Sequence, residues 1–138
     1  MKTVFEHSAG GVVLTADGNL VVVRTTNLAG RPVVTLPKGL IETGEKAVRA
    51  ACREVTEETG LEVTAVGDSP IDILEYWFVR DRVRVKKRVV FFRFTVEGGS
   101  TALHDDEVDE VLVLDPAAAV GMLSYPTERD VVRKTLAQ

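Results

Sequence analysis

Cysteine is nearly absent. Cys52 is alone in 138 residues, so neither an intrachain disulfide nor a cysteine-based zinc cluster can form. Set among Val48, Ala51 and Val55, it reads as a packing residue. No apolar run is long enough to span a bilayer. The opening MKTVFEHSAGGVV has one lysine, then a glutamate and a histidine, which does not resemble a signal peptide. A cytoplasmic protein with no membrane partner is the expectation. A basic excess is missing too: 17 Lys and Arg against 21 Asp and Glu give a net charge of −4, which argues against nucleic acid as a partner. An anionic ligand must meet local positive charge or bring a metal. There is no repeat and no low-complexity tract, and 138 residues suit one domain, 1–138, with a real core. Nothing in the chain specifies an oligomeric state.

What is present is a series of β-branched segments. AGGVVLT and NLVVVRTT flank ADGN, whose Asp-Gly pair predicts a hairpin. PVVTLP reads as a short extended piece and KGLIETGE as a loop. Val48, Ala51, Cys52 and Val55 recur at helical spacing until Gly60, which predicts a helix from Glu45 to Thr59. LEVTAV, IDILEYWFV and VRVKKRVVFFRFTV read as strands, the last two joined by a turn at Asp81. EVLVLD is a further strand, with Val108 before it as part of the same run. Helices follow from Pro116 to Leu123 and from Pro126. Strands with helices between and after them imply an α/β sandwich, a mixed sheet covered on its faces.

The predicted first helix concentrates charge in an unusual way. Glu54 and Glu58 lie one turn apart, with Cβ atoms roughly 5–6 Å from each other, and Glu57 sits on the neighbouring row. Their repulsion opposes the helix, and its C-terminal half is the worse end for negative charge. Arg53 can answer Glu57, but one arginine does not balance three glutamates. Either the face is simply solvated, or a cation is meant to sit there.

The pattern Gly39, five residues, Glu45, seven residues, Arg53-Glu54, Val55, one residue, Glu57-Glu58, one residue, Gly60-Leu61 resembles the Nudix hydrolase box at every defined position. The resemblance implies a Nudix-type α/β/α sandwich with the box as loop, helix and loop, and a metal-dependent pyrophosphohydrolase. It implies Mg2+, with Mn2+ as an alternative, held by Glu54, Glu57, Glu58 and the backbone carbonyl of Lys38. Arg53 then orients the glutamates, and Glu45 is a structural partner of the loop. The general base varies in such enzymes and can come from a later loop. HDDEVDE is the only later acidic cluster, with Glu107 as candidate and a plain surface turn as the alternative. His104 and His7 have no supporting pattern.

Substrate choice is read outside the box. LPKG places Lys38 beside the expected phosphate site, and similar enzymes cleave dinucleoside polyphosphates and diphosphoinositol phosphates. Arg80, Arg82, Arg84, Lys86 and Arg88 alternate, so one sheet face is expected to be basic. Lys87 interrupts the apolar Val83, Val85, Val89 and Phe91, and a lysine so placed needs an anion; it is a candidate phosphate contact. EYWF lies where diadenosine polyphosphate hydrolases carry a tyrosine, so Tyr76 or Trp77 could stack on a base. KRVVFF and LSYPTERDVV also look like the bacterial members of that group, although EVLVLD lacks their tryptophan and Val90 replaces a frequent histidine. The marks of ADP-ribose and NADH hydrolases are absent. The expected small-molecule nucleotide is therefore a diadenosine tetra- to hexaphosphate. The alternatives are a modified nucleoside triphosphate such as 8-oxo-dGTP, a diphosphoinositol polyphosphate, or a non-catalytic nucleotide-sensing module, whose usual mark is a degraded box.

Overall fold

The computed structural model describes residues 1–138. Eight strands run β1 (Thr3–Leu14), β2 (Leu20–Thr26), β3 (Pro32–Thr35), β4 (Lys38–Leu40), β5 (Leu61–Ala65), β6 (Asp72–Arg80), β7 (Val83–Gly99) and β8 (Glu110–Leu114). Helix α1 (Ala47–Thr59) lies between β4 and β5, and α2 (Pro116–Met122) and α3 (Pro126–Leu136) close the chain. The sheet order is β3-β2-β1-β7-β5, with β4 added to β1, β6 to β7 and β8 to β2. Only β1 and β7 pair in parallel, over twelve residues from Thr3↔Arg84 to Leu14↔Thr95, so the sheet is mixed.

Period-two alternation divides the core between two faces. Val13, Val21, Phe92 and Phe94 point one way and pack on Ala50, Ala51 and Val55 of α1. Val12, Leu20, Val22, Val89 and Phe91 point the other way and pack on Ala119 of α2, on Leu123, and on Val131 and Val132 of α3. This is the expected α/β/α sandwich, and no helix is long and apolar enough to cross a membrane.

The location of the box follows from a split in the sheet. β1 bonds to β2 only through Val13 and Leu14, after which the two strands diverge. The run from Pro32 to Leu40 fills the wedge: β3 pairs with β2, and then β4 pairs with Ser8, Ala9 and Gly10 of β1. The stretch expected to be loop therefore begins as a strand, because the free edge of β1 offers it backbone partners. The helix starts at Ala47 rather than Glu45, since Glu45 turns its carboxylate back to the Glu42 N–H at 3.1 Å. It ends as expected at Gly60, which takes the left-handed φ of 75° and donates its N–H to Thr56 O.

Two strand expectations need correction. Val108 is buried but precedes β8, which begins at Glu110. The basic series is not one face: Asp81 and Arg82, with φ of 52° and 64°, form a two-residue turn that pairs Arg80 with Val83. Arg80 consequently shares the face of Val83, Val85 and Lys87, whereas Arg84, Lys86 and Arg88 share the opposite one. A hairpin resets side-chain parity, which a count along the chain does not register.

Phe94 is fully buried where α1 meets the sheet. Phe94→Ala is expected to lower stability by about 3–5 kcal/mol, read as a shift in the midpoint of urea unfolding without loss of cooperativity.

Candidate active site

Arg53 ties the box together. Its Nε and Nη2 donate to the two oxygens of Glu45, both at 2.9 Å, and Nη2 also donates to Leu40 O at 3.0 Å. Its Nη1 reaches Glu54 at 2.8 Å and Glu57 at 3.3 Å. One guanidinium thus connects the helix, the loop before it and β4, using the planar fork that lysine lacks. Glu45, with Arg53 and the Glu42 N–H as partners, is held down to about 2.

Glu54 sits over Gly39, where a Cβ would fall 2.1 Å from its carboxylate. That close approach explains the glycine. Burial raises the pKa of Glu54, Arg53 opposes this, and the charges of Glu57 and Glu107 add to it. Glu107 is therefore within electrostatic reach of the box, on a loop fixed by the Asp105 N–H donating to Glu57 O at 2.9 Å. Glu58 is only 8% exposed. It accepts the Lys38 N–H at 3.1 Å, yet burial pushes its pKa up to about 8, with Glu54 and Asp105 adding to the rise. Asp105, which sequence reasoning passed over in favour of Glu107, thus belongs to the same acidic group. It had no stronger signal than a place in HDDEVDE.

Lys38 folds across to α3, where its Nζ lies 2.8 Å from Glu128. Burial works against its charge, but Glu128, with the charges of Tyr76 and Glu58 adding, keeps the ammonium above its usual range. Lys87 is half-buried on the same sheet face, opposite Glu6 on β1 and Tyr76 on β6. Its pKa is lowered by burial and then by the charge of Lys38. Arg80 pairs with Glu6, which leaves Lys87 the less compensated cation. Tyr76, 40% exposed, is close enough to Lys38 and Glu128 for their charges to act on it.

Trp77 is not brought to this cluster. As the next residue along β6 it faces the other side, opposite Lys86, with the Arg84 guanidinium and Lys86 ammonium 5.7 Å and 5.5 Å from its ring. His7 lies opposite Arg88 on that same face, and His104 contacts the Asp105 carbonyl.

The donor chemistry fits a hard divalent cation. Oxygen ligands are available from Glu54, Glu57, Glu58 and the Lys38 carbonyl, and Glu58 is a buried carboxylate with no full counter-charge. As folded here, no three acidic, histidine or cysteine side chains converge into a finished cage. Arg53 holds Glu54 and Glu57, and the Lys38 amide holds Glu58.

A NUDIX domain pattern matches residues 5–136. The chain belongs to the NUDIX domain family. The chain is 37% identical over 135 residues to the putative mutator protein MutT4 of Mycobacterium tuberculosis, covering 94% of this chain and 54% of that protein. It is 36% identical over 100 residues to an 8-oxo-(d)GTP phosphatase of Mycolicibacterium smegmatis, covering 72% of this chain and 29% of that one. This NUDIX domain thus spans about half or less of the length of these relatives. A Caenorhabditis elegans Ap4A hydrolase has the same fold, with a TM-score of 0.67 and 18% identity over 96% of each chain.

The low pKa of Glu45 has a consequence for acid stability. Between about 4.5 and about 2 the folded NUDIX domain binds fewer protons at Glu45 than the unfolded chain does. The stabilisation is therefore complete above that window and lost as pH falls through it. Glu45→Gln is expected to melt below the wild type at pH 7, with the gap closing by pH 2 in a series of thermal melts.

Proposed function

We propose that this domain is a divalent-metal-dependent pyrophosphohydrolase acting on a nucleoside triphosphate, with modified forms such as 8-oxo-dGTP as preferred substrates. The observation that carries the choice is the parity of β6: Tyr76 shares a face with Lys38 and Lys87, and Trp77 is turned away. One aromatic and two lysines suit one base and a short phosphate chain. The dinucleoside polyphosphate expected from the sequence rested on LPKG and on the likeness of EYWF, KRVVFF and LSYPTERDVV to diadenosine polyphosphate hydrolases, with Tyr76 or Trp77 stacking on a base. The name of the mycobacterial 8-oxo-(d)GTP phosphatase agrees with the single-base reading.

In this reading Glu54, Glu57, Glu58 and the Lys38 carbonyl hold Mg2+ or Mn2+. When bound, the metal neutralises phosphate charge and lowers the pKa of a water. Arg53 keeps Glu54 and Glu57 oriented through the contacts described above. Lys87, which has no carboxylate in an ion pair with it, meets the phosphate chain, and Tyr76 packs against the base. Lys38 contributes less free charge, because Glu128 already answers it. Glu54 or Glu107 accepts the proton of the attacking water, both lying at the acidic edge of the box. Water attacks phosphorus and a P–O–P bond breaks, so oxygen-18 from solvent appears in a phosphate product and never in the ribose.

The test is a panel of 8-oxo-dGTP, dGTP, ATP and diadenosine tetraphosphate with Mg2+ present. The 8-oxo compound is expected to exceed the dinucleotide at least tenfold in kcat/KM, about 1.4 kcal/mol. A tenfold preference for the dinucleotide would restore the sequence expectation.

Separately, Glu57→Gln and Glu58→Gln are each expected to lower kcat by about a hundredfold or more. Unchanged kcat at saturating Mg2+ in both would remove these residues from the metal site.

A further inference from the structure

α3 begins without a side-chain cap. Tyr125 stands at the N-cap with no such bond, and Glu128 occupies the third helical position. A glutamate there ordinarily reaches back to the N-cap amide. Glu128 instead turns both oxygens towards the wedge strand: Oε1 accepts the Leu36 N–H at 2.8 Å, and Oε2 accepts Lys38 Nζ at 2.8 Å. It is 3% exposed. A buried charge used merely to anchor a helix is a costly choice, since apolar residues of similar volume serve as well or better.

The contacts form a series. Val34, Leu36 and Lys38 present alternate amides along the wedge strand, and side chains accept all three. Val34 N–H goes to Ser124 Oγ at 2.9 Å, Leu36 N–H to Glu128, and Lys38 N–H to Glu58 at 3.1 Å. The Ser124 N–H returns a bond to Val34 O at 2.9 Å. Lys38 is therefore gripped twice, by Glu58 on α1 at its amide and by Glu128 on α3 at its ammonium. The two helices lie on opposite faces of the sheet. Their only shared side-chain partner in this series is the residue whose carbonyl opens the box.

We propose that Glu128 is a positioning residue for the metal site: by holding Leu36 and Lys38 it sets the place of the Lys38 carbonyl and of Glu58. This rests on the metal-dependent reading above. Glu128 touches neither substrate nor metal and acts through Lys38. Loosening it shifts metal ligands by a fraction of their bonding distance, which affects kcat more than KM.

The experiment compares wild type, Glu128→Gln and Ser124→Ala in the whole chain by three readouts: Mn2+ affinity from electron paramagnetic resonance, amide hydrogen exchange at Leu36 and Lys38, and nucleotide kinetics. Glu128→Gln is expected to weaken Mn2+ binding about tenfold, to speed exchange at both amides, and to lower kcat about tenfold to a hundredfold with KM within about threefold. Ser124→Ala, which frees only Val34, is expected to leave Mn2+ affinity and kcat within about threefold. A Glu128→Gln protein that melts earlier but keeps wild-type Mn2+ affinity and kcat would make Glu128 a scaffold residue and overturn the proposal. So would equal losses in Ser124→Ala, which would mean general loosening of that corner. If Glu128→Gln does not fold, Glu128→Asp keeps the charge but withdraws it, and the same criteria apply. Should wild type bind Mn2+ and cleave no nucleotide, the hydrolase reading fails, and Mn2+ affinity and exchange still decide the role of Glu128.

Discussion

Placing several carboxylates against the end of a packed sheet is the constraint on which the rest of this structure depends. Glu54, Glu57 and Glu58 repel one another, and Glu58 is buried enough for its pKa to rise to about 8. The fold accommodates this by distributing counter-interactions. Arg53 serves Glu45, Glu54 and Glu57, and the Lys38 amide serves Glu58. Neither compensates the group completely, and the remaining negative potential is what a divalent cation would find. Charge left uncompensated inside a stable fold marks function more reliably than a charged residue does by itself.

The split between β1 and β2 makes that placement possible. A regular sheet would continue their pairing beyond Val13 and Leu14, and the run from Pro32 to Leu40 would have no place in it. Because the strands diverge, the segment crosses from one to the other and delivers Lys38 and Gly39 beneath α1. Gly39 then permits Glu54 to approach the backbone. The two hydrophobic faces enclose the wedge from either side: α1 packs in one cluster with Val13 and Phe94, and α3 in the other with Val12 and Phe91.

The polar cluster on the α3 side is the counterpart of the acidic one. Lys38, Lys87 and Arg80 meet Glu6 and Glu128 there, and Tyr76 borders them. Its charges are mostly paired, but Lys87 is not. In the proposed reading a polyanion at the cluster would meet one unpaired cation, Lys87, and one already engaged by Glu128, Lys38.

Sequence alone determined most of the elements, and the box. Alternation in VRVKKRVVFFRFTV, helical spacing around Val55 and the glycine at 60 are local signals, because each depends on a residue and its near neighbours in the chain. The spacing of Arg53, Glu54, Glu57 and Glu58 on one helix is likewise local geometry. Tertiary structure decided whatever depends on pairing between distant segments. The turn at Asp81 and Arg82 reset the parity of β6 against β7, putting Tyr76 rather than Trp77 on the face of Lys87 and separating Arg80 from Arg84. The free edge of β1 converted Lys38 to Leu40 from loop into strand. Asp105 and Glu128 joined the site across long stretches of chain, 47 to 48 and 90 to 92 residues respectively by the numbering of their partners. Carboxylates in HDDEVDE and PTERD look like any surface acids until folding buries one and brings another beside Glu58, since desolvation and long-range charge are properties of the packed molecule and not of the string.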